Sequence, residues 1–304
     1  MDLRQLAALV AIADYGSFSA AAKALYTVQS NVSAHIARLE KELGVTLVDR
    51  GRGQLTEAGT LVAARARAIQ AELDGIHADI ASRSATVAGE ARLGVIGTTA
   101  RWLVPLVLTA LRESHPQVRA IVVESPTTAL LPQLESGHLD TAVVNLPVDD
   151  PDLIVTALFE EDLVLLVATS HPLAARTEVG LAELARHRLL LPAPGTGLRN
   201  DLEAEAARAG IALQPLAEID GVRLMTSLAF DGFGATIVPA SAVPTWITGE
   251  FTRVAVPGLP PRQVGLARRR RVMPTPAARA VTEVLTEVVR TEGPRQQGLR
   301  VLAR

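Results

Sequence analysis

Residues 17–42 read SFSAAAKALYTVQSNVSAHIARLEKE, and two helices joined by a short turn are written into them. Alanines crowd the first, over Phe18–Leu25, so that another helix can approach it closely. In the second, over Gln29–Leu43, the apolar residues Val32, Ile36, Leu39 and Leu43 recur at helical spacing and share one face. At about 100° per residue, Ser30, Ala34, Arg38 and Lys41 fall on the opposite face, with Asn31 and Ser33 beside them. Small polar residues come first and cations later. Such a face suits a helix that meets base edges with its first turns and phosphates with its later ones. Gly44 follows as a C′ cap. The stretch reads as a helix-turn-helix, although two packed amphipathic helices of any all-α domain share its periodicity.

Working outward, residues 2–13 carry the apolar stripe Leu3, Leu6, Leu9, Val10 and Ala13, and Asp14-Tyr15-Gly16 ends that helix before Ser17 caps the next. After Gly44, Val45–Val48 and Gln54–Leu55 can pair as a wing around Asp49-Arg50-Gly51-Arg52-Gly53, with Arg50 and Arg52 placed for phosphates. An ordinary solvated hairpin is the alternative for the same residues. Thr56 then caps a helix expected from about Glu57 to Arg83, roughly 40 Å long at 1.5 Å per residue. Leu61, Ala68, Ile69, Leu73, Ile76 and Ile80 along it call for a partner helix, so it reads as a dimerisation arm. Ser82–Gly89 is a small, polar linker.

From Ala91 short apolar runs alternate with helical segments. Strands are expected at 93–96, 119–123, 141–144, 163–168, 189–191, 235–238 and 264–267, with helices at 101–114, 127–136, 181–187, 198–209, 222–231 and 276–290. That alternation predicts an α/β region with mainly parallel sheet. The tail from Gly293 is polar and reads as loose.

Composition removes several chemistries. There is no cysteine, hence no disulfide, thiolate metal site or cysteine nucleophile. Histidines 35, 77, 115, 138, 171 and 187 lack ligand spacing, so no metal is expected. No nucleophile elbow, Walker or dinucleotide fingerprint occurs, so neither a cofactor nor an enzyme is expected. No apolar run is long enough for a membrane span. With Asp2 and no small-residue cleavage site, a signal peptide is not expected and the location is expected to be cytoplasmic. The formal net charge is −2, and residues 1–57 hold six Lys or Arg and six Asp or Glu. A DNA reader of this balance must gather its few cations on one face, or double them in a dimer. Arg268–Arg271 directly follows an expected strand and reads as a solvated or subunit-interface face rather than a nucleic-acid patch.

Several motifs together resemble the LysR-type transcriptional regulators over nearly the whole chain. They are Ala20-Ala21-Ala22-Lys23-Ala24-Leu25, Gln29, Val32-Ser33, Ile36, Leu39-Glu40, Glu42-Leu43-Gly44, Leu47, Arg50 and Leu55-Thr56-Glu57-Ala58-Gly59. In the second half they continue with Gly94, Pro105, Pro116, Gly137-His138-Leu139-Asp140, His171-Pro172-Leu173, Asp220, Gly232–Gly234 and Val238-Pro239. Val28 and Ser30 replace a common cap and a common proline, the wing is about two residues short, and Val48 replaces an aromatic; Thr27 is the substitute cap. The resemblance implies α/β architecture with an N-terminal all-α winged helix-turn-helix domain, and a C-terminal half of periplasmic-binding-protein type with two α/β subdomains.

The implied boundaries are 1–57 for the winged domain, 58–89 for the dimerisation helix and linker, 90–292 for the effector-binding domain and 293–304 for the tail. Subdomain I would comprise about 90–166 and 267–292 and subdomain II about 167–266, with crossings near Val167–Ser170 and Gln263–Ala267. Candidate DNA-binding residues are Gln29, Ser30, Asn31, Ser33, Ala34, His35, Arg38, Arg50 and Arg52. The partners implied are double-stranded promoter DNA, a small-molecule effector, further copies as a homodimer or a homotetrameric dimer of dimers, and RNA polymerase at the promoter.

For the effector, helix starts beyond strand ends suggest an anion such as a carboxylate. The candidates are Thr98, Thr99 and Arg101 on one side, Gly195, Thr196 and Arg199 on the other, and Thr128 and Asn145 at further strand ends. Simple capping is the rival account at each, favoured at Thr128. A solute-binding module with a helical dimerisation segment and no DNA role is the alternative function.

Overall fold

The computed structural model describes residues 1–51, 53–82, 87–243 and 248–302. Its N-terminal helices begin and end on local signals. α1 (Leu3–Tyr15) opens on a capping box, Asp2 accepting from Gln5 N at 2.9 Å and Gln5 Oε1 from Asp2 N at 3.0 Å, and closes on Gly16 at φ 70°. Ser17 caps α2 (Phe18–Ala24), and Gly44 at φ 71° ends α3 (Gln29–Leu43). Thr27 does not cap α3: its hydroxyl accepts from the Asn31 side chain at 3.0 Å, and no side chain bonds the first N–H groups of the helix. The wing is β1 (Val48–Asp49) paired with β2 (Gln54–Leu55). Arg52 lies outside the described residues.

α4 (Glu57–Ser82) is long, as expected, but its first turns belong to the winged domain. Ala63 and Ala66 are fully buried in a core with Leu9, Ile12, Val32, Ile36, Leu39 and Leu47, so that domain extends past residue 57. Leu61, Ile69 and Ile76 along α4 are exposed. The linker is shorter than expected, because β3 (Ala88–Val95) already pairs with its neighbour at Ala88 and Gly89.

β3 leads through α5 (Gly97–Ser114), β4 (Gln117–Glu124), α6 (Thr127–Glu135), β5 (Thr141–Asn145) and β6 (Leu153–Glu161). The chain then passes into a second sheet through β7 (Leu163–Ala168), α7 (Leu181–Leu184), β8 (Arg188–Pro192), α8 (Gly197–Arg208), β9 (Gln214–Ile219), α9 (Val222–Phe230), β10 (Ala235–Pro239) and β11 (Phe251–Ala255). It returns through β12 (Arg262–Arg269), α10 (Pro276–Glu292) and β13 (Leu299–Val301). The first sheet has the order β13-β6-β12-β5-β3-β4 and the second β11-β7-β10-β8-β9.

Three expectations are corrected. Both sheets are mixed: β4-β3-β5 and β9-β8-β10 run parallel, whereas β12 and β7, which bring the chain in from the other subdomain, and β11, which precedes the return, pair antiparallel. The outward crossing is at Asp162, not 167–170, and the return lies between Ala255 and Arg262, so β7 belongs to subdomain II and all of β12 to subdomain I. The tail is not loose. β13 pairs with β6, Leu299 opposite Glu161, and Leu299 is buried. Leu299→Ala is expected to cost about 2 kcal/mol or more, as for other leucines cut back in a core, read in a urea titration; no loss would mean β13 detaches from the sheet.

Candidate functional sites

Val32, Ile36 and Leu39 are wholly buried under α3, which turns Gln29, Ser30, Asn31, Ala34 and Arg38 out to solvent, with Ser33 and His35 half-buried beside them. The wing is tied to this helix through Glu40, whose Oε1 accepts from Leu47 N at 2.8 Å and Val48 N at 3.2 Å. Arg50 leans back over the same carboxylate at 3.6 Å and stays exposed. The helix face and Arg50 therefore form one surface.

The second site lies where β3 and β5 end and the chain crosses between subdomains. Arg262, at the start of β12, donates to Thr98 Oγ1 at 2.7 Å at the start of α5. Its Nε also donates to Glu161 Oε1 at 3.0 Å, and Ser241 N donates to the other oxygen of that carboxylate at 2.9 Å. Glu161 is completely buried, and the short helix Ala240–Ala242 that carries Ser241 packs on α5. On the elements that converge here, three polar atoms are buried without a partner among the described residues: Thr99 Oγ1, Ser241 Oγ and Asn145 Oδ1. Buried groups left unpaired cost stability, so their survival asks for a function.

The other candidates fare differently. Arg199 is buried beneath α8, its Nε donating to Glu203 at 2.6 Å and its Nη1 to Pro192 O and Glu218, each at 2.8 Å. It faces into the fold rather than into a cleft. Thr196 caps α8 and donates to Ala193 O at 2.8 Å, so its hydroxyl is also occupied, while Gly195 is exposed at φ 81°. Thr128 is exposed; its neighbour Thr127 is the one turned inward, accepting from Asn145 N at 3.0 Å. Arg101 lines a groove of about 660 Å³ between α5 and α9, which the Glu124–Arg223 ion pair bridges. Sequence reading missed Glu161, Arg262 and Ser241, because no motif marks three residues that meet only when β6, β12 and a short helix converge.

A third cluster joins the two halves. Arg67 of α4 bonds Asp14 Oδ1 at 2.5 Å and reaches Ser136 O at 3.3 Å, while His138 Nε2 lies 3.0 Å from the same Asp14 oxygen. Burial pushes the Asp14 carboxyl up, but hydrogen bonds from His138 and Arg67 and the charge on Arg67 outweigh it and hold it below the usual carboxylate range. Arg268–Arg271 does not form one solvated face. Arg269 donates to Leu134 O and Arg270 to Pro151 O and Leu153 O, each at 2.9 Å.

Comparison with known proteins assigns both halves of the chain. Residues 3–60 match the family described as bacterial regulatory helix-turn-helix protein, lysR family, and residues 84–290 match the LysR substrate binding domain. A probable hydrogen peroxide-inducible genes activator from Mycobacterium leprae is 33% identical over 294 residues, 94% of each chain. The DNA-binding transcriptional dual regulator OxyR of Escherichia coli K12 is 31% identical over 298 residues, 95% of each. A full-length OxyR variant from Pseudomonas aeruginosa, 25% identical, superposes with a TM-score of 0.77 over 96% of this chain and 95% of that one. A solute-binding module without a DNA role is thereby set aside, and no helix among the described residues is long and apolar enough to cross a membrane. The helix-turn-helix, the two-subdomain half and their order in the sequence all agree: the chain belongs to the LysR family of DNA-binding transcriptional regulators, which bind promoter DNA and small-molecule effectors and oligomerise.

Proposed function

We propose that this regulator answers to a small anion, of carboxylate class, seated at the start of α5 between the subdomains. The observation that carries the reading is Arg262 bonded to Thr98 at a helix start, with the unpartnered hydroxyls of Thr99 and Ser241 on the elements that meet at the same crossing. A guanidinium and free helix N–H groups favour negative charge, and the hydroxyls can donate to it. Hydrogen peroxide, the inducer named for the relatives, would meet no thiol in these 304 residues, since the sequence has no cysteine. Reversible binding between the subdomains therefore suits this chain better than thiol oxidation. An effector that prefers one subdomain arrangement shifts the population of that arrangement and with it the spacing of the DNA-binding domains.

On DNA, α3 would enter the major groove. Gln29, Ser30, Asn31, Ser33, Ala34 and His35 would lie near base edges, with Arg38 and Arg50 near phosphates. The exposed Leu61, Ile69 and Ile76 of α4 would be covered by the same helix of a second copy. Thermal shift of the full chain against mono- and dicarboxylates tests the effector class, because a ligand bound only to the folded state raises the midpoint with concentration. Thr99→Val removes an unpartnered buried hydroxyl, so the free protein is expected to be as stable as wild type or slightly more so, while the ligand-induced shift shrinks. Stabilisation by cationic or wholly apolar compounds alone would overturn the anion.

A further inference from the structure

We propose that Tyr26 is a DNA-backbone contact, its ring lying against a deoxyribose and its phenol donating to a phosphate beside the groove that α3 enters. The inference rests on the DNA-binding role of the helix-turn-helix.

Tyr26 occupies the turn between α2 and α3 and is 98% exposed, more than any other large apolar side chain among the described residues. It is also the one residue other than glycine, among those described, with a positive φ, 51°. A Cβ is disfavoured in that left-handed region, and glycine or asparagine would sit there at lower cost. An aromatic at such a position, almost wholly exposed, leaves its whole ring open to a partner. Backbone outliers of this kind gather at sites that clamp a ligand.

The turn also holds the ring in a defined place. Leu25 N bonds Ala21 O at 3.0 Å, Tyr26 N bonds Lys23 O at 3.2 Å and Thr27 N bonds Ala22 O at 2.9 Å, so the loop is fastened to α2. On the other side Thr27 Oγ1 accepts from Asn31 of the first turn of α3. Tyr26 is thus coupled rigidly to the reading face, three residues before its first member, Gln29. Exposed Lys23 precedes it and the uncapped start of α3 follows, so its neighbours on both sides favour an anion. Tyrosine is among the side chains that bond DNA phosphates, and such contacts set register without reading sequence. A protein partner would need an apolar patch. Here only Leu25 and Val28 flank the ring, and polar Gln29, Ser30 and Asn31 adjoin them.

The test is fluorescence anisotropy of the full chain with two labelled duplexes of equal length. One comes from upstream of its own gene and the other has that sequence scrambled. Tyr26→Asn keeps a residue that tolerates the left-handed backbone and should weaken both duplexes by a similar factor, about a hundredfold for a dimer, whereas Tyr26→Phe, which loses one solvent-compensated hydrogen bond per protomer and keeps the ring, should cost about tenfold. Melting midpoints at or above wild type would show the turn intact. Arg38→Ala is the control for DNA engagement, since it should flatten the salt dependence while Tyr26→Phe leaves that slope as it is. Unchanged affinity of folded Tyr26→Asn overturns the contact. So does a loss confined to the native duplex, which would make Tyr26 a reader of bases. If wild type itself prefers neither duplex, the failure lies with the DNA reading and not with Tyr26.

Discussion

Gly59→Ala is expected to abolish DNA binding while leaving the effector half folded. Gly59 lies in the first turn of α4, where alanine would ordinarily stabilise a helix by about 1 kcal/mol. Here a Cβ would stand 2.0 Å from Leu47 O and 2.9 Å from its carbonyl carbon. Relief requires that backbone to move, and it is held on every side. Leu47 N is bonded by Glu40 at 2.8 Å, Leu47 O receives Thr56 N at 2.9 Å, and the Leu47 side chain is completely buried. Overpacking against a fixed backbone costs about 3 kcal/mol or more, which outweighs the propensity gain. The strain falls on the joint between wing and α4, and so on the surface that places α3. Both tryptophans of the sequence, Trp102 and Trp246, lie outside the N-terminal domain. Trp102 packs edge-on to Phe159 in the core of subdomain I with ring centroids 5.8 Å apart. Its emission therefore reports the effector half alone. In Gly59→Ala the tryptophan transition should stay near wild type while affinity for promoter DNA falls at least a hundredfold. Retained affinity would show that α4 can slide without cost.

What was legible in the sequence follows from which interactions are local. α1 to α4 are written in caps, glycine ends and helical spacing of apolar residues within one segment, and they lie within a residue or two of expectation. Most strands read correctly are buried and apolar, such as Val143–Val144 in β5 and Ile237–Val238 in β10, and β4 is half-buried but alternates with helices. The strands missed break that pattern. β6 ends on Glu160-Glu161 before Asp162, which looks like a loop until Arg300 is found paired with Glu160 and Asp162, and Arg262 with Glu161. β9 carries Pro215, tolerated because it is an edge strand with an irregular register opposite. Missing β6 also displaced the domain crossing, since its successor β7 was assigned to the wrong sheet. The site shows the same limit. Thr98 and Thr99 are legible as a strand-to-helix junction, but the cation that meets them is Arg262, 164 residues away in the chain. Arg199 is the cation the sequence offers beside Gly195 and Thr196, but Glu203 and Glu218, which occupy it, come together only through α8 and β9.

Arg262→Ala is expected to be the most damaging single change in the effector half, and the comparison with Glu161→Gln decides why. The two residues form an ion pair at the crossing between subdomains, in which Glu161 is completely buried and Arg262 retains 13% side-chain exposure. Removing the cation strands a carboxylate with one remaining partner in the pair's place, the N–H of Ser241; breaking such a pair costs about 3–5 kcal/mol. Glu161→Gln leaves the opposite imbalance. The guanidinium keeps Thr98 and some water, and the amide can still accept from Ser241 N, so a loss of about 1–2 kcal/mol is expected, closer to a lost hydrogen bond than to a stranded charge. The double variant Arg262→Ala with Glu161→Gln should lose less than the two single changes summed, giving a coupling energy of about 1–3 kcal/mol in a double-mutant cycle. It should still fall short of wild type, because Thr98 Oγ1 then joins the unpartnered oxygens of Thr99, Ser241 and Asn145. Urea unfolding followed by tryptophan emission measures all four proteins in the effector half. Equal losses for the two single variants would mean that the carboxylate reaches water at the crossing. Arg262 would then be free to serve an anion without supporting the hinge, whereas the expected asymmetry makes the guanidinium the hinge's counter-charge, which the proposed anion would have to share. Any anion drawn to Thr98 must then loosen Arg262 from Glu161, which ties occupancy of the cleft to the strength of the joint between the subdomains.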